Sequence, residues 1–157
     1  MRTAFGHFIE TQGALHEELI VLHGDVEQEM AAFRAAWPQR IFNLGTCEQT
    51  IISLAAGMAC EGLRPIVYSI TPFVLERPFE QIKIDLDEQN LPVMLVGYAD
   101  YPTHGPTHRP LNARALCALF KHLKAFFPTT SEQAAQALLA AWHHAGPSFV
   151  SLQRAAA

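Results

Sequence analysis

The stretch RIFNLGTCEQTIISLAAGMACEGLRPIVYS, residues 40–69, reads as strand, turn, helix, turn, strand. RIFNLG is a short apolar run that stops at Gly45. CEQTIISLAAGMACEG carries apolar residues nearly all round, the mark of a buried helix, and Gly62 suits its C-terminal cap. RPIVYSI follows, with β-branched Val67 flanked by Ile66 and Ile70. One side chain is out of keeping. Glu48 stands at the mouth of TIISLAAGMA, ten residues without a charge. Three readings of it are open. The helix dipole favours a carboxylate in the first turn by about 0.3–1 kcal/mol. It is otherwise a surface residue, or a buried acid shielded from water.

The same alternation extends both ways. Upstream, ELIVLHG (residues 18–24) is a strand. VEQEMAAFRAAW (26–37) places Met30, Phe33 and Trp37 at helical spacing, and Pro38 ends it. Downstream, FVLERPFEQIKIDLDEQN (73–90) is helical in its later part, with Ile82, Leu86 and Phe79 on one stripe. LPVMLVGYA (91–99) is a strand apolar on both faces, and DYPTHGPTHRPLN (100–112) is a loop. ARALCALFKH (113–122) is a short helix, LKAFFPT (123–129) a strand, SEQAAQALLAAWHHAG (131–146) a helix and SFVSL (148–152) the last strand. Thr130 and Gln133 form a capping box ahead of that last helix. The order predicts an α/β fold with three layers: a mostly parallel sheet of about six strands, covered by helices on both sides. Ligands in such sheets sit at the carboxyl ends of strands. Two of those ends carry unusual side chains, the Glu48 turn and the loop of His104 and His108.

At 157 residues the chain fits one domain with one sizeable core. Half of it is hydrophobic, and a net charge of −4 leaves no basic footprint for nucleic acid. No apolar run reaches the length of a membrane span, and MRTAFGHFIETQG has no signal-peptide core. Cys47, Cys60 and Cys117 are widely spaced, which points to a reduced, cytoplasmic protein. Phosphate-binding glycine loops and the GxSxG elbow are absent. His104 and His108 are four apart, but Pro102, Pro106 and Pro110 deny them helical geometry, so no metal site is assigned. His143 and His144 read as surface residues at a helix end.

Three motifs then change the weighting. The first is Gly45, Glu48-Gln49, Ala55-Ala56-Gly57, Gly62 and Pro65. The second is LERPFEQIKID, and the third HGPTHRP. Together they resemble the pyrimidine-binding domain of the transketolase and 1-deoxyxylulose-5-phosphate synthase family of thiamine-diphosphate enzymes, over roughly residues 18–154. The resemblance implies that Glu48 hydrogen-bonds the aminopyrimidine of the cofactor and activates it to the C2 ylid for two-carbon transfer. It implies cofactor contacts from Phe73, as the stacking aromatic, and from Phe79. It also implies substrate contacts from Arg77, His104 and His108, with His104 standing where the family has Asp.

The family holds the diphosphate through Mg²⁺ in a second domain marked by Gly-Asp-Gly and a later Asn, which this sequence lacks; HGDV has no second glycine. Nor is a C-terminal transketolase domain seen. The expectation is therefore a single pyrimidine-binding domain over 1–157, paired in an α₂β₂ assembly with a separate diphosphate-binding subunit that supplies Mg²⁺. Its substrates would be a ketose or 2-oxo-acid donor and an aldehyde acceptor. The alternatives are a subunit of a 2-oxo-acid decarboxylase or E1-type dehydrogenase, and a non-catalytic interaction module that keeps the fold.

Overall fold

Strand alternation decides which side chains meet which layer of helices. In the computed structural model, residues 1–25, 27–98 and 105–153 are described. Six strands form one sheet: β1 (Leu19–His23), β2 (Ile41–Asn43), β3 (Arg64–Ile70), β4 (Met94–Tyr98), β5 (Lys124–Phe126) and β6 (Ser148–Leu152). Their order is β2-β1-β3-β4-β6-β5, and every neighbouring pair is parallel. The sheet is thus wholly parallel, as expected for strands buried on both faces.

Leu19 and Val21 of β1 point into one core, and Ile20 and Leu22 into the other. The first core is closed by α1 (Arg2–Leu15), α2 (Ala31–Ala36) and α6 (Ser131–Trp142), which contribute Phe5, Phe33 and Leu138. The second is closed by α3 (Glu48–Cys60) and a π-helical segment, Ile82–Asp87, through Ile52, Ile82 and Leu86. Helices on both faces of a parallel sheet give the three layers expected.

The first helix is missing from the sequence reading, whose first element is the strand at 18–24. Helix α1 carries Gly6 and Gly13, each a cost of about 1 kcal/mol in a helix interior. Packing explains both. A Cβ on Gly6 would lie 2.7 Å from the Glu29 carbonyl oxygen, and one on Gly13 would lie 2.5 Å from the Phe33 ring. The helix ends against Arg40, whose guanidinium donates to the carbonyls of Gly13 (2.7 Å) and His16 (2.8 Å).

Smaller differences follow the same logic. Helix α2 is shorter than expected and is preceded by a 3₁₀ turn, Gln28–Met30. The helical region after β3 starts earlier, as a π-helical turn at Pro72–Glu76, and α4 (Phe79–Gln81) joins it to the segment Ile82–Asp87. Phe79 leaves the buried stripe of Ile82 and Leu86 and packs on Phe120, ring centroids 4.8 Å apart. Short α5 (Ala113–Cys117) starts at Asn112, whose side chain accepts from the Ala115 amide. The capping box of α6 is half formed. Thr130 accepts from the Gln133 amide at 3.2 Å, but the Gln133 side chain turns back to Thr129 instead. Gly62 ends α3 with φ 87°, and Leu63 N–H donates to the Met58 carbonyl, as a left-handed C-cap requires. Among the described residues, no helix is long and apolar enough to cross a membrane.

Candidate functional site

Strand β1 leads to β2 on one side of it, and β3 returns to the other side. This reversal opens a crevice above the carboxyl ends of β1 and β3, the usual ligand position in an open α/β sheet. The register sets His23 beside both Asn43 and Tyr68, so β1 and β2 end level and β3 runs two residues further, to Ile70. A pocket lies there, lined by Gly24, Asp25, Glu48, Ser69 and Phe73 and walled by apolar residues that include Ile52 and Val67. Its enclosed space is about 10 Å³, room for about one water molecule.

The turn that delivers Glu48 is held at several points. Leu44 N–H donates to the His23 carbonyl, tying the end of β2 to β1. Gly45 adopts φ 73°, a conformation other residues resist, and its amide donates to the Asn43 side chain. Cys47 Sγ donates to the Leu44 carbonyl at 3.0 Å. Helix α3 then begins with Glu48, which is only 8 % exposed. The surface reading of Glu48 fails on that burial. Cys47, the N-cap residue, makes no side-chain cap bond, and the carboxylate of Glu48 is engaged elsewhere: Oε1 accepts from Arg77 Nη1 at 2.8 Å.

Arg77 is placed by the π-helical turn. Its amide donates five residues back to the Pro72 carbonyl, and its own carbonyl accepts from Gln49 Nε2. Its guanidinium lies over the Phe73 ring, 3.6 Å from the centroid. His108, at the end of a 3₁₀ turn (Pro106–His108), meets the same ring edge-on at 5.1 Å. Glu48, Arg77, Phe73 and His108 are therefore one contiguous set. Phe79 stands apart from it, against Phe120, and is not among the residues lining the pocket. His104 lies outside the described residues.

Several residues without a signal in the sequence also shape the site. Asp25 and Ser69 line the pocket, although Gly24-Asp25 reads in sequence as turn chemistry alone. Glu76 Oε1 accepts from the Leu111 amide at 2.6 Å, which fastens the segment after His108 to the π-helical turn. Tyr68, also on the pocket wall, stacks on Phe5 at 4.6 Å and donates its hydroxyl to Glu29, which pairs with Arg2. Burial, and then the Glu29 carboxylate, push the Tyr68 phenol well above its ordinary range, so it stays protonated. A lone tyrosine in RPIVYSI gives no hint of this network.

A buried carboxylate beside an aromatic face, with apolar walls, suits a flat nitrogen heterocycle: the acid serves a ring nitrogen and the aromatic ring stacks. Among the described residues, no group of three His, Cys, Asp or Glu side chains is placed to hold a metal ion.

Comparison with known proteins identifies the family. The family model described as transketolase, pyrimidine binding domain, matches residues 1–157. A 1-deoxy-D-xylulose-5-phosphate synthase from Carboxydothermus hydrogenoformans is 34% identical over 132 residues, covering 80% of this chain and 20% of that protein. One subunit of the apulose-4-phosphate transketolase of Actinobacillus succinogenes is 28% identical over 127 residues, covering 79% of this chain and 41% of that protein. The chain thus spans well under half the length of these relatives. A solved structure described as a split gene transketolase, an inactive beta4 tetramer, superposes with a TM-score of 0.86 at 26% identity, covering 98% of this chain and 51% of that one. By its sequence and its fold, this chain belongs to the family of transketolase pyrimidine-binding domains.

Proposed function

We propose that this chain is the pyrimidine-binding subunit of a thiamine-diphosphate-dependent, transketolase-like enzyme, with Glu48 as its activating acid. The observation that carries the reading is the buried Glu48 carboxylate at the sheet's switch point, beside the face of Phe73. When bound, thiamine diphosphate supplies a carbon nucleophile that carries a two-carbon unit from a ketose donor to an aldehyde acceptor. Glu48 holds a proton at a ring nitrogen of the aminopyrimidine, and its burial keeps water from competing for that contact. Phe73 offers the stacking face. Arg77 and His108, at the rim, present donors for the hydroxyls or phosphate of a sugar substrate.

The residues present fit the pyrimidine half of the cofactor. The diphosphate and its Mg²⁺ are assigned to a separate subunit with a Gly-Asp-Gly and Asn signature, in an α₂β₂ assembly. In support, one relative is itself named as a single subunit of a transketolase, and a structural neighbour as the product of a split gene.

The test is reconstitution. The chain is co-purified with a Gly-Asp-Gly subunit encoded in a neighbouring gene and assayed with thiamine diphosphate and Mg²⁺, both for ketol transfer and for 2-oxo-acid decarboxylation. Ketol transfer is the expected activity. Glu48→Gln should lower kcat about 10²–10⁴-fold, the usual worth of a positioned acid–base group. Full turnover in the Gln variant would defeat the proposal, and decarboxylation alone would move the chain to the oxo-acid enzymes.

A further inference from the structure

We infer that Arg77 is a built-in stand-in for the aminopyrimidine ring: it fills the subsite in the free chain and must swing out before the cofactor binds. The inference rests on the functional reading above and deepens it. Two contacts define a pyrimidine subsite here, the Glu48 carboxylate and the Phe73 face. Arg77 holds both. Its Nη1 is 2.8 Å from Glu48 Oε1, and its Cζ is 3.6 Å from the Phe73 centroid. A guanidinium is planar and cationic, so it can stack on an aromatic ring and donate to a carboxylate at once. A flat ring that did the same would need the same face and compete for the same carboxylate.

Burial explains why the stand-in exists. A carboxylate 8 % exposed, above Ile51 and Ile52, is costly unless it is paired. Without a ligand it needs a positive partner, and the chain supplies one. A six-membered ring cannot lie on that face of Phe73 and reach that Glu48 oxygen while the guanidinium is in place. The side chain is 37% exposed, so it has a path to solvent once a ligand takes its place at Glu48. The backbone stays put, fixed by the bonds to Pro72 and from Gln49. Rotation of the side chain alone clears the subsite and turns the guanidinium toward solvent at the rim, where an anionic substrate group can meet it. One movement therefore opens the cofactor site and arms the substrate site. Cofactor affinity is lowered by the fraction of chains with Arg77 in place.

The chain is titrated with 4-amino-2-methylpyrimidine and followed by NMR, in the wild type, Arg77→Ala, Arg77→Gln and Glu48→Gln. Both Arg77 variants should bind the probe roughly three- to tenfold tighter, the worth of one exposed ion pair plus one cation–π contact. The Arg77 Nε–H resonance, identified by its loss in the Ala variant, should shift as the probe saturates. No tightening in either Arg77 variant, or an unmoved Arg77 resonance at saturation, overturns the inference. Binding that depends on Glu48 but not on Arg77 sinks the stand-in alone and leaves the cofactor reading intact. Binding indifferent to Glu48→Gln, or none in any variant, removes both.

Discussion

Glu48 and Cys117 show two fates for an ionisable side chain in one core. Glu48 keeps a charged partner, Arg77, at the pocket mouth. Cys117 is buried with no such partner shown, and burial pushes its thiol from 9.0 up to about 12. In the native chain at pH 8, a thiol reagent should therefore modify exposed Cys60 rapidly and Cys117 only on unfolding. Mass spectrometry of the labelled peptides checks this; native labelling at Cys117 would contradict its burial. The folded value lies above the unfolded one. Its contribution to stability is thus complete below pH 9 and drains away as pH rises toward about 12. At this scale Glu48 was legible in the sequence, because a lone charge before an uncharged helix is conspicuous. Its partner was not. The contact joins residues 48 and 77 across a π-helical turn whose five-residue bonds have no sequence period. Phe79 misled for a related reason, since a stripe counted at 3.6 residues per turn does not survive two π segments.

Helices and turns here are fixed by a few demanding contacts. Gly6→Ala should destabilise the chain by about 1–3 kcal/mol, because the added methyl meets the Glu29 backbone carbonyl and forces α1 off the 3₁₀ turn. Urea denaturation gives the size. An unchanged midpoint would mean that α1 packs less closely than described. Asp87, at the end of the second π segment, accepts three backbone amides, from Lys121 (2.8 Å), His122 (2.7 Å) and Leu123 (2.8 Å). Those amides lead into β5. Asp87→Ala would strand them in a site where the carboxylate is 3 % exposed, at a cost of about 3 kcal/mol or more. Hydrogen exchange should show early loss of protection at 121–126, ahead of β1 and β3. The strands and α3 were legible because apolar runs and turn residues agree there. Helix α1 was not, since Gly6 and Gly13 look like breaks until their neighbours Glu29 and Phe33 are known. Asp87 looks like one more charge in IKIDLDEQN.

Across the whole molecule, one network ties the first helix to two central strands. Arg2 of α1, Glu29 of the 3₁₀ turn and Tyr68 of β3 are joined, and Arg2 also lies over the Tyr98 ring of β4 at 4.3 Å. The Tyr68 phenol ionises far less readily folded than unfolded, where its ordinary value is 10.0. Its stabilisation is therefore full below pH 10 and falls as pH rises beyond it. Thermal melts from pH 8 to pH 11.5 should show a steep alkaline loss that Tyr68→Phe makes shallower. Equal slopes in the two proteins would show that the network does not govern alkaline stability. The layered, parallel architecture was readable from the alternation of elements. The neighbours of each strand were not, because hydrophobic pattern alone does not say that β6 lies between β4 and β5.

That placement has a consequence for biosynthesis. The last of the six strands to be made, Ser148–Leu152, is the one that bridges β4 to β5. Until it leaves the ribosome, β5 has no strand to pair with, and β4 offers an open edge to any neighbour. The nascent sheet therefore cannot close in step with synthesis. Co-translational folding stops one strand short, and the exposed edge of β4 waits for β6 or for a chaperone.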